Sequence, residues 1–214
     1  MVAETARVAC GRTRAVNAGL PILYLARHGE TAWSITGQHT GRTDLPLIDQ
    51  GERNAKRLGQ RLSGLELVMV LASPLQRAWR TCELAGYGAI AERDADLVEW
   101  DYGRYEGLKS TQILSSQPGW ELFRDGCPDG ESPAQVAARA DRVIGRVRQA
   151  QGNVLVFSSG HILRMIATRW LGLEPTVLGS RLHLDTASVS ELGYDHARAE
   201  PVIRLWNDDR HRGD

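Results

Sequence analysis

Residues 21 to 30 read PILYLARHGE, and this stretch decides the fold. Its first part, PILYLA, is a short run opened by a proline and apolar almost throughout, the pattern of a strand covered on both faces. Arg27, His28 and Gly29 follow at once, so the strand delivers a guanidinium and an imidazole at its carboxyl end. Two more runs have the same build, LVMVLA at 67 to 72 and NVLVFS at 153 to 158. Helical periodicity fills the gaps. Asp49 to Leu62 carries Ala55, Leu58 and Leu62 on one face, with Asp49 and Glu52 near its start. Pro74 to Leu84 predicts a shorter helix ending near Gly86. Ser132 to Gln149 has a capping serine, Pro133 in the first turn, and Val136, Ala140, Val143 and Val147 along one side. His161 to Leu171 is followed by Gly172 and Pro175, and Ser188 to Leu192 with Val202 to Trp206 alternate as two paired edge strands. Strands alternating with helices predict an α/β fold, a three-layer α/β/α sandwich around a mainly parallel central sheet.

The totals bound the class. The 214 residues suit one domain with a proper core. Lys+Arg and Asp+Glu both number 26, so no global field favours nucleic acid or an anionic membrane, and an anion must be held by a local cluster. Three cysteines, Cys10, Cys82 and Cys127, make an odd count without close spacing, which argues against a disulfide framework or a zinc site and for a reducing, cytoplasmic compartment. No apolar stretch approaches the ~18 residues of a membrane span. Residues 1 to 20 lack an apolar signal core and are taken as an extension, residues 21 to 207 as the domain, and 208 to 214 as a tail.

The strand ends carry the chemistry. A neutral imidazole beside an arginine suits attack on a phosphoryl group, with the arginine neutralising phosphate oxygens. The second strand ends in Ser73-Pro74-Leu75-Gln76-Arg77, which puts Arg77 on the first turn of the next helix, where an anion is favoured. Transfer without a metal needs an acid for the leaving alkoxide, and a carboxyl group beside bound phosphate has its charged form disfavoured. Glu99 in LVEWDYG is assigned that role, with Asp101 and Glu106 structural. The irregular segment from Trp100 to Gly130 is rich in aromatics and predicts either a lid over the strand ends or a satellite core.

In family order, the blocks LARHGETAW, GQHTGRTDLPL, QGERNAKRLGQRL, SPLQRAWRTCELAG, LVEWDYGRYEG, CPDGES and FSSGHILR resemble the histidine phosphatase superfamily, in its branch of phosphoglycerate-mutase-like phosphatases. The resemblance covers about residues 21 to 207. It implies that His28 is the phosphorylated nucleophile, that Arg27 and Arg77 bind phosphate, that Glu99 donates the proton, and that Thr40 and Gly41 lie beside the substrate. It implies a small phosphorylated metabolite such as a sugar phosphate and inorganic phosphate as partners, and leaves a homodimer open; no cofactor or metal is expected, because no cluster of Asp, Glu and His has metal-ligand spacing and two arginines supply the charge. The mutases of this family carry a long insertion after the glutamate block. Residues 108 to 130 are too short for it, which favours hydrolysis.

Two positions depart from the family pattern. Ser34 stands where relatives often carry asparagine in a substrate-contacting block. Aligning FSSGHILR on Gly160 places Ser159 at the usual second catalytic histidine and His161 at a non-catalytic one. The expected arrangement has Ser159 lining the phosphate pocket with His161 supporting it, at a cost of about 2–4 kcal/mol in transition-state stabilisation if one charged donor is lost. Alternatively His161 swings into the pocket, or Ser159 is a substitution that traps a complex. The leading expectation is therefore a metal-independent phosphomonoesterase working through a phosphohistidine. A mutase, or a catalytically weakened binder of phosphorylated ligands, remains as the alternative.

Overall fold

A computed structural model describes residues 20 to 212. Three of its strands are the apolar runs: β1 (Leu23–Arg27), β2 (Leu67–Ala72) and, fourth in chain order, β4 (Asn153–Ser158). A three-residue strand, β3 (Ala91–Arg93), lies between them in sequence, and β5 (Val189–Tyr194) and β6 (Pro201–Asp208) close the chain. The sheet has six strands in the order β3-β2-β4-β1-β5-β6. The first four positions pair in parallel, whereas β5 and β6 run antiparallel as the expected edge hairpin.

The helices are α1 (Ala32–Thr36), α2 (Asp49–Leu62), α3 (Gln76–Leu84), α4 (Ser110–Ser116), α5 (Leu122–Asp125), α6 (Pro133–Gln149), α7 (Gly160–Trp170) and α8 (Pro175–Leu178). Ser132 caps α6 as its sequence predicts, accepting from the Gln135 amide at 3.3 Å. Successive strand residues point to opposite faces, and the two cores divide on that alternation. Leu23, Leu25, Val154 and Val156 pack with α6 and α7 on one face. Tyr24, Ala26, Leu155 and Phe157 pack with Leu58 and Leu62 of α2 and Cys82 of α3 on the other. The molecule is the expected three-layer α/β/α sandwich.

Strand order fixes where a site can form. The chain leaves β1 for the α2/α3 face and leaves β4 for the α7 face, so the carboxyl ends of these adjacent strands flank a crevice. Register pairs Arg27 with Ser158, which brings the two quoted stretches side by side. The turn after β1 then crosses the first turn of α2 at a distance only glycine tolerates. A Cβ on Gly29 would lie 2.5 Å from the Gly51 carbonyl oxygen, and one on Gly51 would lie 2.3 Å from that of Glu30.

Residues 1 to 19 of the expected extension, and Cys10 with them, lie outside the described residues. The described part of the expected tail is pinned to the domain. Asp208 ends β6 and pairs with Arg61 and Arg210, and Arg212 donates to Glu30 at 3.0 Å. The segment from Trp100 to Gly130 reaches the crevice through Tyr102, and its Trp100, Tyr102 and Phe123 are buried in the main α6/α7 core rather than in a satellite core. No described helix is long and apolar enough to cross a membrane.

Candidate active site

A cavity of about 290 Å³ opens at the β1 and β4 ends. Its wall includes Arg27, His28, Ser34, Thr40, Glu99, Gly160 and His161 among the residues expected from sequence. Arg27 and Gly160 touch: a Cβ at position 160 would lie 3.3 Å from Arg27 Nε and 3.4 Å from Cζ. The glycine of the second stretch thus makes room for the arginine of the first.

His28 is buried, and its Nδ1 lies 2.7 Å from the Gly29 carbonyl oxygen. A carbonyl only accepts, so Nδ1 carries the proton and Nε2 keeps a free lone pair. Burial first, and then the charges of Arg77 and Arg27, hold the pKa of His28 well below the usual 6.5. The imidazole is neutral at pH 7, as a nucleophile must be. Arg27 donates through Nη1 to the Leu184 carbonyl at 2.5 Å, while its buried Nε has no hydrogen-bond partner among the described residues. An unpaired buried donor next to a nucleophile is a place for an anion.

Glu99 reaches the wall from the opposite side of the crevice. Its carboxylate accepts from the amides of Trp100, His161 and Ile162, each at 2.9 Å, so it caps the amino end of α7 while facing the cavity. A buried clamp fixes this segment. Arg139 on α6 pairs with both oxygens of Glu131 at 2.7 and 2.8 Å and donates to the carbonyls of Asp96 and Val98, and Glu131 accepts from the Asp101 amide.

Three expected residues sit behind the wall rather than in it. Arg77 is fully buried; its Nε donates to Ser159 Oγ at 3.3 Å, and its terminal nitrogens donate to the carbonyls of Thr40, Gly41 and Thr43. Most of its fork is therefore taken up by protein oxygens, although its charge still reaches His28. Ser159 is 1% exposed and occupies the position just before α7, where its hydroxyl turns to Arg77 and leaves Gly160 and His161 to form the wall. Gly41 passes so close to Trp100 that a Cβ would lie 2.4 Å from its carbonyl oxygen. Ser34 lines the cavity, but its hydroxyl is engaged with the Thr31 backbone in the cap of α1. Glu106 is structural, accepting from the amides of Gly41 and Thr43.

His161 faces the cavity with its Nδ1 2.5 Å from the Tyr102 hydroxyl. Tyr102 is 1% exposed and its pKa is pushed well above 10 by burial, so the phenol keeps a proton that needs an acceptor. Nδ1 is its partner, which places the His161 proton on Nε2. Burial, followed by the charges of Arg164, His39 and Arg27, keeps His161 neutral as well.

Several wall residues escaped the sequence reading, Arg164, His183 and Leu184 among them. Arg164 follows His161 by three positions, hence on the same face of α7, and that spacing was available as a signal. His183 and Leu184 arrive from the chain leading into β5, and nothing local in the sequence places them there. Among the described residues, one group of acids and histidines has metal-ligand proximity, Asp195, His196 and Glu200, all exposed on the β5–β6 turn.

Comparison with known proteins identifies the family. The family model of the histidine phosphatase superfamily (branch 1) matches residues 23 to 209. The chain is 45% identical over 178 residues to an acid phosphatase of Mycobacterium tuberculosis, covering 81% of this chain and 87% of that one. It is 35% identical over 185 residues to sedoheptulose 1,7-bisphosphatase of Saccharomyces cerevisiae, covering 72% and 68%. A solved structure of an open reading frame product from Mycobacterium tuberculosis superposes with a TM-score of 0.84 at 41% identity, covering 88% of this chain and 97% of that one.

Proposed function

The chain belongs to the histidine phosphatase superfamily, and on that premise we propose that it hydrolyses a small phosphorylated metabolite, a sugar phosphate or similar ester, through a phosphohistidine on His28. The observation that carries this reading is the neutral, buried His28 with its Nδ1 proton held by Gly29 and Nε2 left free beside Arg27. Nε2 attacks phosphorus, the N–P bond forms, and the ester P–O bond breaks. Glu99 gives its proton to the departing oxygen. Water then attacks the phosphohistidine, Glu99 takes the water's proton, and inorganic phosphate leaves with His28 restored.

Arg27 supplies the charge at the transferring group, with its unpaired Nε as the donor that a phosphate oxygen satisfies. Ser159 acts from behind the wall: its hydroxyl accepts from Arg77 and holds that guanidinium in place. His161 supports the rim. Because Ser159 carries no charge, turnover is slower than a histidine there would give.

Phosphate release from a panel of phosphorylated metabolites, measured in the presence of a chelator, tests the proposal. Release of inorganic phosphate is the expected result. Transfer of the phosphoryl group within the substrate would make the protein a mutase, and binding of esters without turnover would make it a weakened binder; either contradicts the proposal.

A further inference from the structure

The orientation of Arg27 depends on the turn that leads into β5. Among the described residues its side chain makes one hydrogen bond, from Nη1 to the Leu184 carbonyl. The backbone of the same turn grips the catalytic stretch: the Ala187 amide donates to the His28 carbonyl at 2.9 Å, and the Arg27 amide donates to the Ser188 carbonyl at 3.1 Å. Whatever fixes residues 183 to 188 therefore fixes the guanidinium.

The end of β6 fixes them. Trp206 Nε1 donates to the His183 carbonyl, the Asp185 amide donates to Asn207 Oδ1 at 2.7 Å, and Asn207 Nδ2 donates to the Asp185 carboxylate at 2.8 Å. Leu184 is thus bracketed by its two chain neighbours, each held by one of two consecutive strand residues. Consecutive residues of a regular strand point to opposite faces, so this needs an irregularity. β6 supplies it: Val189 pairs with Asp208 and Glu191 with Leu205, which sets Trp206 and Asn207 together against Ser190. Asn207 takes a φ of 56°, in the left-handed region that asparagine tolerates better than most residues. A bulge re-aims side chains, and this one brings both onto one turn. Neither residue belongs to the cavity wall.

We propose that the β6 bulge is a positioning device for Arg27, and that Asn207 is its positioning residue: through paired hydrogen bonds to Asp185 it holds the Leu184 carbonyl where Arg27 Nη1 meets it. The inference rests on the reading of Arg27 as a ligand of the phosphate. The chemistry of the pair is specific. Asn207 meets an N–H and a carboxylate of one residue, which takes an acceptor and a donor side by side, and a primary amide offers both. The carboxylate that it holds also bears on the arginine. Burial lowers the pKa of Arg27, and the charges of Glu99 and Asp185 oppose that. A shift of the turn moves both the carbonyl and that charge relative to the guanidinium, and a displacement of about 1 Å is enough to cost an active-site group much of its effect.

Calorimetric titration of the full chain with inorganic phosphate reads the placement of Arg27 without turnover. Misfolded protein lowers the number of sites and not their affinity, so a merely structural role leaves Kd unmoved. Asn207→Asp sets a carboxylate against that of Asp185 and is expected to weaken phosphate binding about tenfold, the scale of one charge-assisted hydrogen bond. Adding Asp185→Asn makes donor face acceptor again while the pair keeps its single charge, and is expected to recover most of the loss. Asn207→Gly accepts the left-handed backbone and lacks both side-chain bonds; it is expected to weaken binding as well, and it carries the test where Asn207→Asp fails to fold. An unchanged Kd in either single variant, or a loss in Asn207→Asp that Asp185→Asn does not reverse, overturns the positioning role. Esters left uncleaved by the unmutated protein, with phosphate affinity still dependent on residue 207, would overturn the phosphatase reading and leave the positioning role standing. Esters cleaved while phosphate affinity ignores residue 207 would do the reverse.

Discussion

Arg77 Nε donates to Ser159 Oγ at 3.3 Å, and both residues are buried, so the guanidinium behind α7's first turn meets a hydroxyl there. A hydroxyl donates one hydrogen bond and carries no charge. On the family alignment this is where an imidazolium would add a charged donor to the transferring phosphate.

Ser159→His is therefore expected to raise kcat on the order of 10- to 100-fold, with the KM for the ester changing less, because a charged donor counts most as transferring charge develops. His161→Ala is expected to cost at most about a few-fold, the scale of one neutral hydrogen bond. Steady-state kinetics on the two single variants decides the matter. A loss of about 10²-fold or more at His161, with no gain from Ser159→His, would mean that His161 has taken over the role.

Tyr102→Phe removes the donor to His161 Nδ1 and nothing else that the structure records for that hydroxyl. The His161 ring loses its fixed tautomer, and kcat is expected to fall by no more than the few-fold of His161→Ala, about twofold. Unchanged kcat across the pH range would show that the pair does not orient the site.

Stability should depend on pH through the buried histidines. Burial lowers the pKa values of His28 and His161 well below 6.5, and that of His39 to about 4. Between those values and 6.5 the unfolded chain binds protons that the fold excludes, so stability is full above about 6.5 and falls as pH drops below it. Each group contributes up to about 1.4 kcal/mol per pH unit inside its window. The exposed His196, raised by Glu200 and Asp195, acts in the opposite sense. The urea midpoint at pH 5 is expected to lie below that at pH 7.5; a flat profile would contradict the assignment of these histidines as neutral.

Arg139→Met strips the partly buried Glu131 carboxylate of its ion-pair partner and frees the segment that carries Glu99. The expected destabilisation is about 2–3 kcal/mol in urea unfolding, because the remaining charge stays partly buried and without its cation. A change under about 1 kcal/mol would show that water or another cation replaces the arginine.

Sequence carried the frame and half of the site, for identifiable reasons. β1, β2 and β4 are short apolar runs because both faces of the sheet are covered, and that signal is local. Ala91–Arg93 becomes a strand only by pairing with β2, and three residues without a buried position leave no pattern to read. His28, Arg27 and Glu99 were legible from their places at strand ends and in the glutamate block. The retreat of Ser159 behind the wall was not, because it depends on Arg77, a partner 82 residues away. Arg164 lay inside a quoted motif and needed only the helical spacing from His161.

The central claim is that His28 becomes covalently phosphorylated during turnover. Acid lability would destroy the adduct, so the reaction with a phosphorylated metabolite is quenched in base and the digested protein is mapped by mass spectrometry. The account predicts one phosphoryl group on the peptide containing His28, stable in base and lost in acid, and absent from the His28→Ala protein. Inorganic phosphate released at the normal rate with no phosphorylated peptide, or with the group on a serine that survives acid, would contradict it.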